Sequence, residues 1–89
     1  MTLEQLLKDE EGQVLKNNLH VPYQDKTGVW TIGYGHNMRN GIPEHIAIQL
    51  LRYDINVATE ALEGIFGRFD TFSDSRRKAL ISMMYNMGR

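Results

Sequence analysis

No cysteine occurs in the 89 residues, which excludes a disulfide framework and a thiolate metal site and leaves the compartment open. Neither sign of charge is in excess, with 10 Lys+Arg against 11 Asp+Glu; a chain without a basic surplus lacks the electrostatic footprint of a nucleic-acid binder. No run approaches the roughly 20 apolar residues of a membrane-spanning helix, so no membrane partner is expected. The stretch from Met1 to Glu11 is acidic and broken by charge every few positions, unlike the basic-then-apolar layout of a signal peptide. Proline is scarce, two in all, so each one has positional meaning. Pro22 cannot donate to a ladder and confines its strand to a short or edge position, whereas Pro43 suits the first turn of a helix.

What is present is an ordinary soluble composition, 42% hydrophobic and 24% charged. A domain this small hides only about 60–65% of its unfolded-state surface, so the core is marginal. Thr2 followed by Gln5 is a capping-box pattern, and Leu3, Leu6 and Leu7 share a stripe; together they predict a helix over 3–11 with Gly12 as its stop. From Val14 to Met38 the strand formers Tyr23, Val29, Trp30, Ile32 and Tyr34 surround the turn residues Asp25-Lys26-Thr27-Gly28. This predicts a small antiparallel hairpin or meander, with Asn17-Asn18 marking another loop and Asn40-Gly41 its end.

Ile42, Ile46, Leu50, Tyr53, Val57, Ala61 and Ile65 recur at helical spacing and predict a long amphipathic helix over 43–64, ended by Gly64 and Gly67. After a connector from Phe69 to Phe72, Ser73 or Asp74 caps a last helix over 74–87. Between Ala79 and Met87 only Ser82 and Asn86 are polar. A helix apolar nearly all round needs to be surrounded, which points to more chain or a second subunit. The fold class is α+β: one domain over 1–89, with a sheet lobe at 12–41 and a helical part at 1–11 and 42–89.

Two carboxylates stand out against this frame. Glycoside hydrolysis needs one carboxylic acid to protonate the leaving oxygen and a second carboxylate across the bond. Glu11 ends the first helix, where the negative pole of a helix dipole helps a general acid keep its proton, and Asp25 heads a turn. Either one alone is far more often simply a solvated surface charge. Thr31 could hold a water through its hydroxyl or be an ordinary strand residue. Gly33 and Gly35 fit a strand that another backbone or a substrate approaches closely, or glycines that simply relieve a bulge. Trp30 and Tyr34 are candidates for stacking on sugar rings, with the core as their alternative place.

Glu11-Gly12, Leu15-Lys16, Tyr23, Asp25, Gly28 and Thr31-Ile32-Gly33-Tyr34-Gly35-His36 resemble the signature of the phage-type lysozymes, the endolysins of tailed bacteriophages that form glycoside hydrolase family 24. Asp54, Arg76, Arg77, Ala79, Leu80, Met83, Asn86, Met87 and Gly88 are similar to that family's next two helices. The resemblance implies a lysozyme-like fold and a muramidase that cleaves the β-1,4 bond between N-acetylmuramic acid and N-acetylglucosamine in peptidoglycan during host-cell lysis. Glu11 would be the general acid, Asp25 would stay ionised, and Thr31 would help place the attacking water in an inverting displacement, without metal or cofactor. It also implies a structural pair of His36 with Asp54, and residence in the host cytoplasm until release to the periplasm and cell wall. Arg76 and Arg77, in the first turn of the last helix, read as solvated charges or as contacts to acidic cell-wall groups.

The chain departs from the family in two places. Residues 17–22 occupy a loop that the family spans in fewer residues, which is cheap in closure entropy. The sequence also stops at Arg89, where relatives continue through several helices that form the other wall of the cleft. The resemblance thus implies a truncated endolysin that lacks its C-terminal lobe, or one completed by a homodimer. A non-catalytic half-lysozyme that binds glycan or self-associates through its last helix stays open.

Overall fold

Thr2 opens the first helix, α1 (Leu3–Glu10), with both halves of the capping box. Its hydroxyl accepts the Gln5 N–H at 3.1 Å, and Gln5 Oε1 accepts the Thr2 N–H at 3.0 Å. Glu11 still donates its N–H to the Leu7 carbonyl but is extended, with φ −82° and ψ 142°. The helix therefore ends one residue earlier than the sequence predicts. The computed structural model describes residues 1–11 and 13–87, so the stop assigned to Gly12 lies outside the described residues.

The chain divides into two compact units, Met1–Ile42 and Pro43–Arg89. In the first, the predicted meander resolves into five short strands: β1 (Leu15–Lys16), β2 (Leu19–His20), β3 (Tyr23–Gln24), β4 (Trp30–Ile32) and β5 (His36–Asn37). Strands β1 and β2 form an antiparallel hairpin of their own. Asn17 and Asn18 turn its corner at φ 54° and 63°, the left-handed pair that matches strand twist and that asparagine tolerates. Part of the stretch expected to be a longer loop is thus ordered secondary structure. Strands β3, β4 and β5 form an antiparallel sheet with β4 in the centre. Its register pairs Tyr23 with Thr31 and Thr31 with Asn37.

Gly33 and Gly35 do not lie in a strand, as expected from sequence; they flank Tyr34 in the turn from β4 to β5, both at positive φ, 67° and 92°. A turn of 3-10 helix (Met38–Asn40) follows β5 and closes on Gly41.

In the second unit, Pro43 sits just before α2 (Glu44–Phe66) as its N-cap. The helix runs through Gly64, which does not end it. Closure comes at Gly67, whose φ of 70° and N–H to the Glu63 carbonyl at 2.8 Å are a glycine stop. A short 3-10 turn (Phe69–Thr71) then leads to α3 (Asp74–Met87), where Ser73 Oγ accepts the Arg76 N–H.

The stripe that carries the helical spacing of α2 is mostly exposed, with Ile46 half-buried. Leu50, Tyr53, Val57 and Ile65 are exposed, whereas Ala58 and Leu62 are buried and Ile55 half-buried. The helix is apolar on two faces, and periodicity cannot rank them. Phe69 ranks them in the fold: it is 1% exposed and packs edge-on to Phe72 at 5.5 Å. Arg76 lies over the Phe72 ring at 5.5 Å and Arg77 over Phe69 at 6.0 Å. These two cations cover aromatic rings, a placement worth more than simple solvation. No helix among the described residues is long and apolar enough to cross a membrane.

Candidate active site

Asp25 leads the turn between β3 and β4, and the turn closes on its carboxylate. Oδ1 accepts the Thr27 N–H at 2.8 Å, the Thr27 hydroxyl at 2.7 Å and the Val29 N–H at 2.9 Å. Three donors on one oxygen stabilise the ionised form, and the Asp25 carboxyl is held below its ordinary 3.8, chiefly by the Thr27 hydroxyl and then by the Val29 N–H. The same backbone is tied twice more: Asp25 N–H donates to the Val29 carbonyl at 2.9 Å and Gly28 N–H to the Asp25 carbonyl at 3.0 Å.

Thr31, in the central strand, is 5% exposed. Its hydroxyl donates to the Val29 carbonyl at 3.0 Å, which leaves the oxygen's two lone pairs as acceptors. Val29 thereby joins the two residues, its N–H on Asp25 and its C=O on Thr31. Directly opposed residues of a sheet share a face, so Tyr23, Thr31 and Asn37 form a row across β3, β4 and β5.

Glu11 follows the last turn of α1. Its carboxylate lies against Gly35, where a Cβ would stand 2.9 Å from Oε2 and 3.3 Å from Cδ. Next to that glycine, the Tyr34 ring meets His20 edge-on at 4.9 Å, and Lys8 Nζ lies 5.4 Å from its centroid. Tyr34 therefore joins α1 to both hairpins.

Glu11, Asp25 and Thr31 line one cavity of about 450 Å³ in the first unit, together with Glu10, Tyr23, Gln24, Lys26, Gly35 and Asn37. Sequence reasoning did not single out Asn37. The signal was available, since an alternating strand paired through a short turn places residue 37 beside residue 31. Trp30 and Tyr34, the residues expected at the sugar, do not line this cavity; Trp30 lines another recess with Gly28, Val29, Met38 and Arg39. His36 donates from Nε2 to the Gly41 carbonyl at 2.8 Å. Its expected partner Asp54 belongs to α2, in the other unit. Among the described residues no three His, Asp or Glu side chains cluster as metal ligands would.

Chemically, the cavity offers a carboxyl group, a carboxylate whose charged form is favoured by its hydrogen bonds and a hydroxyl able to accept from water, the parts list of acid-assisted hydrolysis. A family model described as phage lysozyme matches residues 9–89. No curated protein and no solved structure matches the chain. The family match spans nearly the whole sequence and includes all three of these residues: the chain belongs to the phage lysozyme family.

Proposed function

We propose that this chain is a muramidase that hydrolyses the β-1,4 bond between N-acetylmuramic acid and N-acetylglucosamine in peptidoglycan, in the service of host-cell lysis. The observation that carries this reading is the convergence of Glu11, Asp25 and Thr31 on one cavity. Glu11, placed against a glycine with no side chain to crowd it, gives its proton to the glycosidic oxygen as that bond breaks. Thr31 has its own proton on Val29 and receives a hydrogen bond from the attacking water. Asp25, whose charged form is favoured by the donors on Oδ1, stabilises the positive charge developing on the sugar and takes the water's proton on its other oxygen, Oδ2, as the new C–O bond forms.

Clearing of chloroform-permeabilised Gram-negative cells tests the assignment. Wild type clears the suspension and Glu11→Gln, with an unchanged melting temperature, does not; equal clearing by both, or by neither, overturns catalysis by this chain.

A second reading, glycan binding or self-association without cleavage, is favoured by the exposed Met83 and Met87 of α3. There, sedimentation finds dimers, and sacculi retain the protein without release of reducing ends.

A further inference from the structure

Trp30 and Thr31 are consecutive residues of β4 and therefore face opposite sides of the sheet. Thr31 is buried against the Glu11 cavity, whereas Trp30 is 54% exposed. The indole instead borders a recess of about 360 Å³ whose other walls are Gly28, Val29, Met38 and Arg39. The flat face of an exposed tryptophan is a stacking platform for the apolar face of a pyranose. The backbone on both sides of the recess is held in regular structure. The strand fixes Trp30, and the 3-10 turn fixes Arg39, whose N–H donates to Asn37 Oδ1 at 2.8 Å. A Cβ on Gly28 would meet nothing within 4 Å, so this wall is open to a ligand. Among the described residues, the Arg39 guanidinium enters no ion pair within 4 Å, and its charge reaches the Asp25 carboxyl only as the smallest cause of that group's lowered pKa. Such a fork is matched by a carboxylate, which takes two parallel hydrogen bonds from it.

We propose that the Trp30–Arg39 recess is a second carbohydrate site, on the sheet face opposite the Glu11 cavity, which takes a pyranose bearing a carboxylate substituent, the ring against the indole and the carboxylate on the guanidinium. The choice of glycan as the ligand's source rests on the reading of the chain as an enzyme of peptidoglycan; the site itself does not depend on cleavage. It would hold the enzyme on an acidic glycan strand while the other face acts.

Trp30 is the sole tryptophan of the chain, so intrinsic fluorescence reports on this recess directly. In titrations of the wild type, N-acetylmuramic acid changes the emission saturably, N-acetylglucosamine binds about fivefold more weakly, as expected for one exposed charge-assisted contact, and sodium acetate leaves the spectrum unchanged. Arg39→Met removes the preference between the two sugars and leaves N-acetylglucosamine binding in place. Glu11→Gln leaves all of these titrations as they are, which separates the recess from the catalytic cavity and this proposal from the muramidase assignment. Absence of a saturable change with either sugar, an equal response to acetate, an undiminished preference in Arg39→Met, or loss of the signal in Glu11→Gln would each overturn it.

Discussion

The carboxylate of Glu11 occupies the space in which a side chain at Gly35 would begin, with Oε2 only 2.9 Å from the position of that missing Cβ. The atom in the way is the far end of a flexible side chain, so an added methyl would not jam the fold; it would push the acid aside. Gly35 also sits at φ 92°, a conformation that costs an L residue about 1–2 kcal/mol. Gly33, at φ 67° and with nothing within 4 Å of its Cβ position, has backbone strain without the contact. Gly35→Ala and Gly33→Ala should therefore both lower the melting temperature. Only Gly35→Ala should also cut lytic turnover per folded molecule, by about a hundredfold for a displacement near 1 Å. Equal specific activities in the two variants would show that Gly35 does not position Glu11.

Asp25 supplies a pH-dependent contribution whose sign follows from its lowered pKa. A carboxyl depressed in the folded state adds stability that is fully present above its unfolded pKa of about 3.9 and is lost as pH falls through the folded value. Thr27→Val removes the largest cause of the depression, the hydroxyl on Oδ1. Carboxyl-carbon NMR titration should place Asp25 higher in Thr27→Val than in wild type. The melting-temperature gap between the two should be present at pH 6 and shrink below about pH 3.9. A gap that widened in acid would contradict the linkage.

Thr31→Val is nearly isosteric and deletes the hydroxyl that meets the Val29 carbonyl. That carbonyl keeps its bond from the Asp25 N–H, so the loss of stability should be modest, about 0.5–1.5 kcal/mol in urea denaturation. Lytic activity should fall by at least about tenfold, because the water loses its acceptor, whereas Thr31→Ser, which keeps the oxygen, should retain most of it. Full activity in Thr31→Val would remove the residue from the reaction.

The second unit makes its own stability prediction. Phe69 is 1% exposed and packs against Phe72, so Phe69→Ala should destabilise that unit by about 3–5 kcal/mol. Met83→Ala, on the exposed side of α3, should change it by less than about 0.5 kcal/mol. Denaturant midpoints followed by the helical circular dichroism signal compare the two.

The parts of this fold that were legible in the sequence are those decided locally. The Thr2–Gln5 capping box, the Asp25–Gly28 turn and the span of α3 each depend on residues a few positions apart, and each is found as read. Glu11, Asp25 and Thr31 could be nominated because their types and order form a recognisable pattern. Their shared cavity could not be read, since it depends on α1 laying one carboxylate against a turn glycine far along the chain. Periodicity located α2 but did not rank its faces, because both stripes are apolar and the buried one is that of Ala58 and Leu62. The strand assignment of Gly33 and Gly35 failed for the opposite reason: their flanking strand formers, Ile32 and Tyr34, masked a turn that needs two positive φ angles.

Helix α1 has 8 residues, none of them buried, and a helix of that length does not persist in water by itself. Its attachments are the Thr2 box, an exposed Glu4–Lys8 pair and the lysine over Tyr34. Glu11, the proposed acid, is thus carried at the end of a short helix with no buried residue. On warming, bacteriolysis should fade while ellipticity is still intact, so that the working temperature of such an enzyme is set by the docking of two helical turns rather than by the melting of its longest helix.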